Sequence, residues 1–203
     1  MIDLVNVVHA IACVVTMLQF VTEFVLLNEF KEFWLNDYCK TCPTIQFLGI
    51  AVASVLHIQY GNMLQDGTMI RVYTVGLLVS IALMCAIYYR ILSNFSKAKY
   101  MIGYGAAVAL TCVILCYVRY EDPKELEFRF GIIRTVVQLL IIAPPLICFG
   151  FIGVWLWGLS FMLGFAATLS WMLYGILLGN HTLVIEKISA TVIYIYIFIH
   201  VLT

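Results

Sequence analysis

Seven apolar runs, each long enough to cross a bilayer as a helix, occupy most of this 203-residue chain. A helix needs about 20 mostly apolar residues to span the hydrocarbon core. That window places the runs at 4–27, 43–63, 68–89, 100–118, 130–153, 157–178 and 182–202. Polar segments separate them: Asn28 to Cys42, Gln65-Asp66-Gly67, Arg90 to Lys99, Arg119 to Arg129, and Gly179-Asn180-His181. The break between the fifth and sixth runs carries no charge. Its glycines, Gly153 and Gly158, predict a turn, and Trp155 and Trp157 suit an interfacial belt. Composition agrees with spans. Only 11% of residues are charged and 64% are apolar, whereas a soluble domain needs about 25% charged residues to cover its surface. The expected fold class is all-α and integral to a membrane, with lipid as the surrounding medium. A formal net charge of zero gives no field that would draw the chain to nucleic acid. Met1-Ile2-Asp3 lacks the positive n-region of a secretory signal.

The seven cysteines divide by context. Cys13, Cys85, Cys112, Cys116 and Cys148 lie in apolar runs and read as small packing residues. Cys39-Lys40-Thr41-Cys42 is a lone CxxC. A structural zinc site needs four ligands and no second pair exists, so no metal and no cofactor are expected.

Self-similarity at an offset of 114 residues organises the spans. Phe47 matches Phe161, Ala53 matches Ala167, Tyr60-Gly61 matches Tyr174-Gly175, Leu64 matches Leu178 and Thr68 matches Thr182. Ser54 corresponds to Thr168, His57 to Trp171, Asp66 to Asn180 and Gly76 to Ala190. Spans 2 and 3 with their turn therefore recur as spans 6 and 7. An odd span between two three-span units lets both run in the same direction. Parallel repeats of this kind are a transporter design, with the substrate site at their interface near the midplane. The expected division is 1–92 for the first repeat, 93–128 for a linker span with its loops, and 129–203 for the second repeat. The positive-inside rule compares Lys31, Lys40, Arg90, Lys97 and Lys99 on one side with Arg119, Lys124 and Arg129 on the other. The excess predicts the N-terminus outside and the C-terminus in the cytosol.

These residues resemble the SWEET (MtN3/saliva) sugar transporters, for which parallel repeats are known. That family shows a Pro opening span 2, then Trp-x-x-Tyr-Gly, a polar turn with Asp and an Asn on span 3, and repeats the set on spans 6 and 7. Here the first copy reads Pro43, His57-Ile58-Gln59-Tyr60-Gly61, Asp66 and Tyr73. The second reads Trp157, Trp171-Met172-Leu173-Tyr174-Gly175, Asn180 and Lys187. Ala143-Pro144-Pro145-Leu146 resembles the family's Ala-Ser-Pro-Leu, and Glu121-Asp122-Pro123 with Phe128-Arg129-Phe130-Gly131 resembles arthropod members. The resemblance implies two parallel three-helix bundles joined by a linker helix in 3+1+3 order. It implies bidirectional facilitated transport of a mono- or disaccharide by alternating access, in the plasma membrane or the Golgi, with homo-oligomers among the family's states. It also implies a pocket at His57, Tyr73, Trp171 and Lys187. Only Trp171 of these is the family's own residue type.

Each candidate carries a chemical expectation. Trp171 offers a flat face for sugar C–H groups and an indole N–H donor, against lipid anchoring. His57 is a smaller polar ring that can bond or titrate, against a structural histidine between helices. Tyr73 keeps a ring and a hydroxyl, against simple packing. A lysine in mid-span costs about 2.5–3.5 kcal/mol on insertion scales. Lys187 either snorkels outward or faces the cavity, which would point to an anionic or proton-coupled substrate. Glu186 is expected to point elsewhere, because adjacent helical residues do not share a face. Asp66 and Asn180 are expected to cap the helices that follow them, Glu23 to be interfacial, and His9 and His200 to have no evident partner. Pro43 and Pro145 are expected to kink spans 2 and 5 and serve as hinges.

A transport-inactive paralogue acting in membrane interaction or trafficking, or a facilitator of another polar or anionic solute, is the competing reading. No Gly-x-x-x-x-Gly-Lys-Ser/Thr, His-Glu-x-x-His or Gly-x-Ser-x-Gly occurs, so neither ATP-driven pumping nor an enzyme is expected. The orientation is directly testable. Asn94-Phe95-Ser96 should stay unmodified in the cytosol, and glycan on Asn94 in cell-expressed protein, seen as an enzyme-sensitive mobility shift, would mean the opposite topology.

Overall fold

A computed structural model describes residues 2–29, 41–90, 94–120, 123–148 and 154–202. They form seven helices: α1 (Ile2–Glu29), α2 (Thr41–Leu64), α3 (Gly67–Arg90), α4 (Asn94–Tyr120), α5 (Pro123–Cys148), α6 (Val154–Leu178) and α7 (His181–Leu202). Five of these are long and apolar enough to cross a membrane on their described residues: α1, α2, α3, α4 and α6. α5 and α7 carry charge within their length, including Arg134, Glu186 and Lys187. On α1 the exposed Leu4, Val7, Ile11, Val14, Leu18 and Val21 recur every three or four residues, while Ala12, Cys13, Thr16 and Phe20 are buried. That is an apolar outer stripe with a mixed inner face, the reverse of a soluble helix.

Several boundaries differ from the apolar runs. α4 and α5 begin six and seven residues early, because polar first turns remain helical outside the hydrocarbon and Pro123 fits the first helical position. The turn expected around Gly153–Gly158 is corrected too. Val154 to Gly158 already belong to α6, since nothing in that stretch removes a helical hydrogen bond. Residues 149–153 lie outside the described residues, as do Cys39 of the CxxC and the charges between 30 and 40. Pro43 lies in the first turn of α2. There its missing N–H would have no intrahelical acceptor anyway, so it opens the helix and does not kink it. α5 ends at Cys148, three residues after Pro145.

Helix contacts come in matching sets. α2 packs on α3 as α6 packs on α7, α1 on α3 as α5 on α7, and α1 on α6 as α2 on α5, with α4 against α2. Local chemistry is matched as well. At the end of α2, Asp66 N donates to Gly61 O at 2.9 Å and Gln65 N to Asn62 O at 3.3 Å. At the end of α6, Asn180 N donates to Gly175 O at 2.9 Å and Gly179 N to Ile176 O at 3.1 Å. Both are paired closures that satisfy the last carbonyls. Each requires a left-handed residue, supplied by Gln65 (φ 55°) and by Gly179 (φ 69°). The repeated Tyr-Gly also has a reason. A Cβ on Gly61 would sit 3.0 Å from Ile70, and one on Gly175 would sit 3.1 Å from Val184. These glycines let each hairpin close. Gln65→Gly should therefore stabilise the protein by about 1 kcal/mol, read as a raised midpoint in thermal or denaturant unfolding in detergent.

Candidate functional site

The first helical turns after the two hairpins set one end of the site. Asp66 Oδ1 accepts from the backbone N–H groups of Thr68 and Met69, each at 3.0 Å. Asn180 Oδ1 accepts from Leu183 N at 3.0 Å. Both residues therefore cap helices, as the sequence predicts. The repeated tyrosines then cross between the two sets of helices. Tyr174 Oη donates to Asp66 Oδ2 at 3.0 Å, and Tyr60 Oη donates to Asn180 Oδ1 at 2.9 Å. Each tyrosine thus bonds the cap of the other repeat. His9, for which the sequence suggests no partner, stacks on Tyr174 with ring centroids 4.4 Å apart. Its Nε2 lies 3.2 Å from Asp66 Oδ2, outside hydrogen-bond alignment. A vestibule of about 560 Å³ opens at this end, lined by His9, Asp66, Glu127, Tyr174 and Asn180 among others.

One layer deeper lies a buried charge cluster. Glu186 on α7 is fully buried. Its Oε2 accepts from Arg134 Nε of α5, and its Oε1 from Lys187 Nζ at 2.5 Å. His57 Nε2 of α2 lies 3.2 Å from the same Oε1. His57 Nδ1 faces the Ala53 carbonyl at 2.8 Å, which can only accept, so Nδ1 carries a hydrogen. Arg134 stacks over Tyr60, 3.7 Å from the ring centroid, while its Nη1 and Nη2 have no hydrogen-bond partner. The expectation that Glu186 points away from Lys187 is corrected here. Neighbours on a helix differ by about 100° in direction, but the lysine stem is long enough to curl back to the carboxylate. Lys187 itself is 4% exposed and does not snorkel.

Beyond the cluster is a cavity of about 80 Å³. Lys187, Tyr73, Trp171, Thr16, Gln19, Ser54, Gln138, Thr168 and Tyr194 are among its walls. The four residues singled out by sequence meet in this region. Tyr73 stacks on His57 at 4.2 Å between centroids and lies 6.0 Å from Trp171. His57 reaches Lys187 through Glu186 and is not itself a wall. Trp171 is 2% exposed, so it faces neither lipid nor an interface. Its Nε1 donates to Thr16 Oγ1 at 2.9 Å, which ties α6 to α1. The hinge candidates Pro43 and Pro145 lie away from this constellation along their helices, near the start of α2 and the end of α5.

Sequence reasoning misses Arg134 and misjudges Glu186. The available signal is an arginine five residues into a span and a glutamate in another, opposite charges that lipid forces together. It also misses a second repeat. Thr16-x-x-Gln19 on α1 recurs as Thr135-x-x-Gln138 on α5, and both glutamines line the cavity.

Matched helix sets around a partly polar cavity define a multi-span membrane protein with a central pocket. This fold is similar to that in "The 3.7 A resolution structure of a eukaryotic SWEET transporter", with a TM-score of 0.74 over 95% of this chain and 93% of that one. The identity is 15%, so the likeness is one of fold. No protein-family model and no curated protein matches the sequence. The cluster makes a quantitative prediction. Arg134→Met leaves Glu186 without its guanidinium and should destabilise the fold by about 3–5 kcal/mol. Tyr174→Phe, which loses one partly buried hydrogen bond, should cost about 1 kcal/mol. Paired unfolding curves in detergent would test the order and the gap.

Proposed function

We propose that this chain is a divergent member of the SWEET family and a bidirectional facilitative transporter, not an enzyme. It uses two parallel three-helix bundles, α1–α3 and α5–α7, with α4 as linker, and all seven helices span the membrane. The observation that carries the reading is the reciprocal pair Tyr60–Asn180 and Tyr174–Asp66 above a central cavity. Those bonds run between the two repeats. Breaking both lets one bundle rock from the other at that end, while the cavity stays between them. With the N-terminus outside, the vestibule end faces outward. The central cavity of about 80 Å³ is well below the roughly 300–1,000 Å³ of ligand sites. It must widen to load a solute. Pro145, near the end of α5, is the hinge this reading keeps.

The fold resemblance nominates a mono- or disaccharide as solute and the plasma membrane or Golgi as location, with homo-oligomers as in the family. His57, Tyr73, Trp171 and Lys187 are the residues proposed to meet the solute. The cavity offers ring faces from Tyr73 and Trp171 and rim donors and acceptors from Gln19, Gln138, Ser54 and Thr168, which suits a polyhydroxyl compound. A polar cavity of this kind also speaks for a working carrier over an inactive scaffold.

Radiotracer uptake in a transporter-null host tests the proposal. Glucose, sucrose or trehalose should equilibrate faster than in control cells. Trp171→Ala, which removes a cavity wall and the bond to Thr16, should lower that rate at least tenfold. No flux above control for any solute, with the protein delivered to the membrane, would exclude a working carrier.

A further inference from the structure

The vestibule and the central cavity lie at different depths. His9, Leu64, Glu127, Leu178 and Asn180 line the vestibule. Gln19, Ile50, Gln138, Gly164 and Tyr194 line the cavity. Taken along α1, α2, α5, α6 and α7 in turn, the second set is ten to fourteen residues further from the vestibule. At 1.5 Å per residue that is about 15–21 Å. The hydrocarbon core is about 30 Å thick, so the cavity reaches past its middle toward the opposite face. The vestibule end is bonded across by Tyr60–Asn180 and Tyr174–Asp66. The cavity extends away from that closure and is not sealed.

At this far end the two repeats differ in one exchanged pair. The second repeat has Gly164 and Tyr194 where the first has Ile50 and Ser80. The small residue on one helix and the large one on its neighbour have swapped places. Gly164 is what seats the tyrosine. A Cβ at Gly164 would lie 2.5 Å from Tyr194 Oη, and 3.2 Å from both Tyr194 Cζ and Gln19 Nε2. The hydroxyl therefore occupies the notch that the missing side chain leaves. The ring is held on α6 by edge contacts with Phe161 and Phe165, at 5.0 and 6.1 Å between centroids. In the first repeat, Ser80 Oγ instead bonds its own helix at Gly76 O, at 2.8 Å. Tyr194 is thus an aromatic wall with no counterpart, placed at the far end of the cavity.

Resting on the carrier reading above, we infer that solute reaches the cavity from the end opposite the vestibule, and that Tyr194, seated on Gly164, sets the width of that entrance. While the hydroxyl stays in its notch, the ring lies back against α6. Any side chain at position 164 drives the hydroxyl off α6 and into the passage. Gly164 and Tyr194 then act as a size filter, and a disaccharide is the solute most affected by narrowing.

Thiol labelling in membranes tests the entrance without relying on transport. Ser54→Cys places a reporter in the cavity wall, and Leu178→Cys places one in the vestibule. A small impermeant methanethiosulfonate, read over the background of the parent protein, should reach the two from opposite sides of the membrane. Labelling of both from the same side would overturn the inference. Gly164→Ala should slow labelling of Ser54→Cys at least tenfold, and adding Tyr194→Phe should restore most of the rate. An unchanged rate in the first variant, or no recovery in the second, would overturn the role of Tyr194. If Gly164→Ala does not fold, Tyr194→Ala should quicken labelling at least fivefold, and no change would equally overturn it. In proteoliposomes, Gly164→Ala should raise the ratio of glucose to trehalose flux at least tenfold, and an unchanged ratio would sink the size filter. The labelling pattern without flux of either sugar would uphold the entrance and count against the carrier.

Discussion

The Glu186 carboxylate is the constraint on which the rest of the centre depends. It is buried completely and accepts from Arg134 and Lys187 while His57 stands beside it. A carboxylate in such a place persists only when paired on both oxygens. The pairing decides which helices meet. Arg134 brings α5 to α7, and His57 brings α2 to the same point. Tyr60 then lies under the guanidinium and Tyr73 against the imidazole. The aromatic layer is thus placed by the charges it covers, and the cavity is the space left beyond Lys187.

Around this asymmetric centre the frame is close to symmetric. The two hairpins share the same helix-ending hydrogen bonds, the same left-handed position and the same capping role. Their tyrosines exchange bonds across the repeat boundary. Matched frames can move against each other without a large difference between their two ends. The contents are unmatched: His57 stands where the second repeat has Trp171, and Tyr73 where it has Lys187. Under the carrier reading, the symmetric parts serve the motion and the asymmetric parts choose the solute.

Much of the frame is legible in the sequence. Apolar run length locates all seven helices, and the 114-residue offset links Asp66 with Asn180 and Tyr60 with Tyr174. Capping follows from residue type, because an Asx side chain reaches its own next turn. Pro43, Glu186 and Arg134 are not legible in this way, and the reason is common to all three. The effect of Pro43 depends on where its helix begins. The direction of Glu186 matters less than how its neighbour Lys187 bends, and Arg134 has no meaning without the carboxylate it meets. Each depends on a position along or between helices that local sequence does not encode.

The sequence alone determined the number of helices, their apolar outer faces and the repeat. Backbone satisfaction in lipid and the reach of local side chains leave little choice in those matters. Tertiary structure decided the rest: which charges pair, that Tyr60 and Tyr174 cross between repeats, that Trp171 is bonded to Thr16, and that Lys187 faces inward. The pairing of Arg134 with Glu186 joins residues 52 positions apart, and that of Trp171 with Thr16 joins residues 155 apart. Such contacts depend on how helices rotate and approach, and those rotations are set by close packing and by the need to neutralise buried charge.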